Sequence, residues 1–118
     1  MIMHMRGEPK TMQTLTHYNN LMQEIGDFFQ KQSQLALEAG VGEDQIILDP
    51  GIGFSKTAEQ NLTILKYLDT LKLHPYPLLL GVSRKSFIGH VLDLPVSDRL
   101  QGTLATTALG IMKGCRII

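Results

Sequence analysis

Three times in 118 residues an apolar stretch of strand length gives way to an amphipathic stretch of helix length, and a fourth apolar stretch closes the sequence. The strand-sized runs begin near positions 1, 45, 76 and 115, so the order reads β-α-β-α-β-α-β. Repeated βα units imply a parallel sheet joined by right-handed crossovers. Tyr76 to Val82, with Leu78, Leu79 and Leu80 in succession, shows no alternation, as expected of a strand covered on both faces. Two architectures satisfy this order: a small doubly wound sheet, or half of an eight-stranded barrel. Met1 to Met5 already reads as core strand and the last strand is still running at Ile118. That favours the half-barrel. An isolated half would leave two core strands as open edges, so the chain is expected to be a stretch of a longer one or to pair with another half.

The connecting segments carry helix signals. From about Thr16 to Ala39, Tyr18, Leu21, Met22, Ile25, Phe28, Phe29, Leu35 and Ala36 fall at three-and-four spacing. Gly26 interrupts at a cost of roughly 1 kcal/mol against alanine, and Gly40 is placed to end the helix in a left-handed turn. Thr57 and Gln60 form a capping box for a second helix. Leu62, Leu65, Leu68 and Leu71 are its expected buried stripe, and His74-Pro75 closes it. A brief helical turn is expected around Phe87 to Leu92. A third long helix runs from about Asp98 or Arg99 to Lys113, with Leu100, Leu104, Ala108, Ile111 and Met112 on one face and Gly102, Ala105, Thr106 and Leu109 on another. Gly114 ends it.

Composition narrows the function. Eleven basic and eleven acidic residues balance to a formal net charge of zero, with no long run of either sign. A nucleic-acid surface or a polybasic membrane anchor needs clustered charge, so neither is expected. Leu78-Leu79-Leu80 is far short of a bilayer span. Cys115 is the only cysteine, which rules out an intrachain disulfide and suits a reducing compartment; a cytoplasmic location is expected. His17, His74 and His90 lack ligand spacing with one another or with Cys115, so no zinc site is expected. There is no dinucleotide fingerprint and no Walker A motif. His4 reads as a satisfied core or rim histidine.

The chemistry lies in three loops that should leave one edge of the sheet: Arg6 to Gln13, Pro50 to Lys56, and Ser83 to Ser86. Asp49 ends an apolar run, and Pro50, lacking an N–H, stops the strand there. Strand carboxyl ends are where α/β folds bind ligands. The loops gather the Asp49 carboxylate, the Lys85 ammonium, the Arg84 guanidinium, the Ser86 hydroxyl and the Phe54 ring. A buried aspartate can accept paired hydrogen bonds from an amidine-like edge of a flat heterocycle. A neighbouring lysine would hold it ionised, and an aromatic ring offers a covering face. Each piece also has a plainer reading. Asp49-Pro50-Gly51 is an ordinary turn sequence, Arg84 and Lys85 could be a solvated pair, and Ser83 to Ser86 could be an anion nest at a helix start.

Met3-His4-Met5-Arg6-Gly7 with Pro9 and Thr11-Met12-Gln13, then Leu48-Asp49-Pro50-Gly51-Ile52-Gly53-Phe54, resembles dihydropteroate synthase. So does Gly81-Val82-Ser83-Arg84-Lys85-Ser86-Phe87-Ile88-Gly89, followed by Arg99-Leu100-Gln101-Gly102-Thr103. The resemblance covers essentially the whole chain and implies part of a (β/α)8 TIM barrel, about strands five to eight with their helices. Residues 1–118 would be the C-terminal half of a pterin-binding barrel domain. The implied reaction joins 6-hydroxymethyl-7,8-dihydropterin pyrophosphate to p-aminobenzoate, giving 7,8-dihydropteroate and pyrophosphate, with Mg²⁺ aiding departure of the pyrophosphate.

Carried over residue by residue, Asp49 and Lys85 would be catalytic. Met3, Asp49, Gly81 and Lys85 would bind the pterin, and Phe54, Lys85 and Ser86 the p-aminobenzoate. The family's metal and pyrophosphate ligands have no counterpart here, so no metal ligand is expected in this chain and the free chain is expected to be inactive. The family also implies a homodimer at full length. The alternatives are a related pterin-binding methyltransferase domain, and a non-catalytic half-barrel that needs a partner chain.

Overall fold

Sequential pairing of the apolar stretches decides the architecture. In the computed structural model, which describes residues 1–8, 10–73 and 75–118, β1 (Ile2–Met3) lies parallel to β2 (Leu48–Asp49), with Ile2 opposite Leu48 and Met3 opposite Asp49. Leu48 bridges Leu78 and Leu79 bridges Ile117, again in parallel. A doubly wound sheet reverses its strand order at a switch point, and no reversal occurs among the described residues. Right-handed crossovers between neighbours taken in order put the connecting helices on one face. That is the winding of a barrel. Each strand is paired over only one or two residues, so the ladders are shorter than the apolar runs. Pro9 in the first loop and His74 at the end of the second helix lie outside the described residues.

The helices follow their caps. α1 (Leu21–Glu38) begins at Leu21 rather than Thr16, because the Asn20 side chain accepts the Gln23 N–H at 3.2 Å while Glu24 accepts the N–H groups of Asn19 and Asn20 at 2.8 and 3.1 Å. Those bonds satisfy donors that a helix start leaves open. Gly40, at φ +88°, ends α1 as expected. α2 (Ala58–Lys66) starts from the predicted capping box: Thr57 Oγ1 accepts from Gln60 N–H at 3.2 Å and Gln60 Oε1 accepts from Thr57 N–H at 2.9 Å. Its stripe needs a correction. Leu62 is 42% exposed, while Ile64 and Leu65 are buried, followed by Leu68 and Leu71 in a 3-10 turn. A strict three-residue step drifts around a helix of 3.6 residues per turn, so Leu62 falls off the face that Leu65 occupies.

α3 (Ser86–Leu92) and α4 (Leu100–Met112) complete the layer. α4 packs through its small residues and Leu109. A side chain at Gly102 would meet Ile88 and Leu92, and one at Gly110 would meet Leu80. Leu100, Leu104, Ile111 and Met112 face outward. The core between sheet and helices centres on Ile25, Phe29, Leu48, Ile52, Ile64, Leu68 and Leu80. Gly26 faces open space within a cleft of about 460 Å³ on the flank between α1 and Thr70–Leu73. No helix among the described residues is long and apolar enough to cross a membrane.

His4 is buried, but it is not satisfied. Its ring packs edge-on to Phe28 at 5.1 Å and tilted to Tyr18 at 5.9 Å, and Nδ1 has no hydrogen-bond partner. Burial, with Lys56 and Arg6 near it, pulls the imidazole from 6.5 down to about 4. The unfolded chain therefore takes up this proton first as pH falls. Stability is complete above about pH 6.5 and declines toward pH 4, by up to about 3 kcal/mol. Urea unfolding between pH 4 and 7 should show this slope, and His4→Leu should flatten it.

Candidate active site

β1, β2 and the segment ending at Val82 all stop at the same edge, and the three loops that leave them are tied together. Gln13 donates to the Gly53 carbonyl at 3.4 Å. Arg6 N–H donates to Ser55 Oγ at 2.9 Å, and Ser55 Oγ returns a bond to the Arg6 carbonyl at 2.8 Å. Tyr18 donates to the Ser55 carbonyl at 3.0 Å. The Arg6 guanidinium lies 4.0 Å from the Tyr18 ring centroid and pairs with Glu24. It braces the first loop, with its charge already committed.

The loop after β2 is built from two left-handed glycines. Gly51 (φ +68°) passes so close to the His4 carbonyl that a Cβ there would collide with it. Gly53 (φ +84°) lies beneath the Lys85 stem, with Cδ 3.2 Å from where a Cβ would sit. Gly53 N–H donates to the buried Asn61 side chain at 2.8 Å. These contacts fold the chain back so that Asp49 stays at the strand end. One of its oxygens accepts the Gly51 N–H at 2.7 Å.

Lys56 is the residue that sequence reasoning missed. It is only 5% exposed, and its ammonium donates to the carbonyls of His4, Gly51 and Phe54 at 3.3, 3.1 and 2.9 Å. An ammonium has three protons to donate, and all three have acceptors. Burial pulls it down to about 8, against the opposing attraction of Asp49. A lysine at a loop end reads as solvated; its one signal was position, immediately after a glycine-rich turn that leaves carbonyls pointing inward.

Lys85 approaches from the third loop. Its ammonium donates to the Ile52 carbonyl and lies 4.9 Å from the Phe54 ring centroid. It also passes 3.8 Å from the position a Cβ on Gly81 would take. A glycine at 81 thus leaves the floor beneath this charge open. Burial lowers the Lys85 pKa, opposed by Asp49. Asp49 is the mirror case: burial raises its pKa, and the Gly51 N–H, Lys85 and Lys56 pull it back. Both ammonium groups spend their hydrogen bonds on backbone carbonyls and act on the carboxylate through space.

The predicted site residues come together in part. Met3 is the register partner of Asp49 on β1. Asp49, Phe54 and Gly81 all lie near the Lys85 ammonium. Ser86 is exposed at the start of α3 and lines a neighbouring cleft of about 180 Å³ with Lys56, Asn61 and His90. Arg84 separates from Lys85: its side chain points to solvent while Lys85 turns inward. Cys115 is buried and its thiol is pushed up to about 11, so it stays protonated and chemically quiet. Among the described residues no three His, Cys, Asp or Glu side chains cluster, and Asp49 has two cations for neighbours. These residues do not fit a magnesium ion.

Such an arrangement has the chemistry to meet a planar, polar ring. One anionic acceptor can meet an N–C–NH₂ edge, one cation can meet a carbonyl or carboxylate, and an aromatic ring can cover the face. The whole chain, residues 1–118, matches the family described as pterin binding enzymes. A dihydropteroate synthase of Synechocystis sp. is 53% identical over 118 residues, which is 99% of this chain and 41% of that protein. The Yersinia pestis dihydropteroate synthase, solved with a sulfonamide drug complex, superposes with a TM-score of 0.94 at 40% identity, covering 98% of this chain and 42% of that one. The Thermus thermophilus dihydropteroate synthase in complex with 4-aminobenzoate superposes at 0.91 and 38% identity, covering 98% and 45%. The chain spans about two fifths of the length of the curated relatives it matches.

Replacing the buried ammonium without replacing its length isolates its contribution. Lys56→Met leaves the carbonyls of His4, Gly51 and Phe54 without their shared donor. Loss of a buried polar partner costs about 1–3 kcal/mol per orphaned group, less where water enters. Chemical denaturation should show a loss of about 3 kcal/mol, with amide exchange accelerated first at Gly51 to Ser55.

Proposed function

The chain belongs to the family of pterin-binding enzymes, and from that premise we propose that it carries the pterin floor and part of the p-aminobenzoate wall of a dihydropteroate synthase. The observation that carries this reading is the convergence of a buried carboxylate, an inward-turned ammonium and a phenyl ring at one strand edge. Asp49 accepts hydrogen bonds from the amino and ring-nitrogen edge of the pterin. Met3 and Gly81 shape the surface on which the ring lies.

Lys85 stands between the two substrates, donating to the pterin on one side and facing p-aminobenzoate on the other. Phe54 covers p-aminobenzoate, and Ser86 meets its carboxylate. In the reaction, the bond between the pterin methylene and the pyrophosphate oxygen breaks. The p-aminobenzoate nitrogen bonds to that methylene and gives up a proton. Positive charge grows on the pterin as pyrophosphate departs, and a carboxylate already fixed against the ring stabilises it without reorganising. Asp49 is held for that task by Gly51 and its two cationic neighbours. Any magnesium the reaction uses would be held by residues other than these.

The partners in this reading are the two small substrates and a second copy of the complete enzyme, with no nucleic acid and no membrane. The outward row of Leu100, Leu104, Ile111 and Met112 on α4, 49–85% exposed, supports the homodimer. A cytoplasmic location is part of the same reading and rests on the single reduced cysteine.

The test is a chimera in which these 118 residues replace the matching portion of the Synechocystis synthase. It should form dihydropteroate from both substrates, whereas the 118-residue chain alone should give no measurable turnover. In the chimera, Asp49→Asn should lower kcat/KM by about 10²–10³-fold, the scale seen when one preorganised transition-state contact is lost. Lys85→Ala should lower kcat and raise the KM for p-aminobenzoate. Unchanged turnover in Lys85→Ala would overturn the assignment.

A further inference from the structure

Lys85 faces inward directly after a residue with an uncommon backbone conformation. Arg84 has φ +49°, a left-handed angle that a side chain with a Cβ disfavours. Nothing in the Arg84 side chain explains this, since it points to solvent. The explanation lies on α4 and just before it. Arg84 N–H donates to Thr103 Oγ1 at 2.9 Å, and the Arg84 carbonyl accepts from Arg99 Nη1 at 3.1 Å. Both backbone polar groups of one residue, in the two peptide units that flank its Cα, are thus held by two residues one helical turn apart.

The holders are themselves fixed. The Thr103 hydroxyl donates to the Arg99 carbonyl at 2.8 Å, which aims its lone pair at the Arg84 N–H. Arg99 Nε donates to the Leu94 carbonyl at 3.1 Å, and its guanidinium lies so close over Gly89 that a Cβ there would collide with it. A guanidinium pressed on a glycine and bonded on two sides has little freedom to leave. From Arg84 the chain turns through a Lys85 N–H bond to the Val82 carbonyl at 3.2 Å, and the Lys85 stem then runs over Gly53 toward Ile52 and Phe54. We propose that Arg99 and Thr103 are positioning residues for Lys85: they clamp Arg84 in its left-handed conformation, and that turn points the Lys85 ammonium into the site. The importance of Lys85 rests on the functional reading above; the clamp itself does not.

The experiment uses the 118-residue chain and NMR. It follows exchange of the Arg84 amide proton, titration of the Lys85 ammonium, and affinity for p-aminobenzoate, with the thermal midpoint as a control. Thr103→Val keeps the side-chain shape but removes the acceptor. It should speed exchange of the Arg84 amide at least tenfold and move the Lys85 titration up toward the ordinary value of about 10.4. Thr103→Ser keeps the acceptor and should leave both near the unsubstituted chain.

Adding Arg84→Gly to Thr103→Val relieves the backbone penalty and should return the Lys85 titration toward its original position. Arg99→Lys, which cannot reach both carbonyls, should reproduce the Thr103→Val shift and serves if that variant does not fold. A lowered thermal midpoint with an unmoved Lys85 titration would make the contacts merely structural and overturn the proposal. A Lys85 shift with unchanged p-aminobenzoate affinity would leave the clamp standing and overturn the functional reading instead.

Discussion

The ammonium of Lys56 is the contact on which the site depends. A glycine-rich turn that curls back over its own strand leaves carbonyls pointing inward, where water cannot reach them. Lys56 answers three of them at once, and one, that of His4, lies just after β1 rather than in its own loop. A single buried charge therefore fixes the loop's shape and its attachment to the neighbouring strand. The desolvation cost is met by hydrogen bonds and by the nearby carboxylate, not by a direct ion pair. Without it, Asp49 would sit at the end of a loose turn.

Around that contact, each group takes its role from opposing forces. Asp49 is pushed toward neutrality by burial and back toward ionisation by an N–H and two ammonium groups. Lys85 is desolvated, yet it finds a carbonyl and a ring face. The two lysines resemble each other in sequence and differ in freedom. Lys56 has all its donors committed. Lys85 is a half-buried cation with one hydrogen bond, the better placed of the two to meet a ligand.

The architecture was legible because its signals are local. The Thr57 capping box, the Gly40 and Gly114 stops and the uninterrupted Leu78-Leu79-Leu80 run each report a backbone event within a few residues. Tyr18 fits the helical spacing and so predicts too early a start for α1, whose boundary is set by the Asn20 cap. Leu62 fits a three-residue step but lies off the buried face of α2. Asp49, Phe54 and Lys85 were legible as neighbours because strand order brings successive loops to one edge. The work of Lys56, Arg99 and Thr103 was not. Each acts on a backbone group distant in sequence, and side-chain type gives no hint of that. His4 was readable as buried, but its unpartnered nitrogen depends on packing that only the fold supplies.

The central claim is that the edge holding Asp49 reads a pterin. The direct measurement is ¹H–¹⁵N NMR of the chain titrated with 6-hydroxymethylpterin, repeated with Asp49→Asn. The account predicts saturable shifts at the Gly51 amide, which is bonded to the Asp49 carboxylate, and at Lys85, all lost in the Asn variant. Shifts confined to the cleft between α1 and Thr70–Leu73, or shifts equal in both proteins, would contradict it.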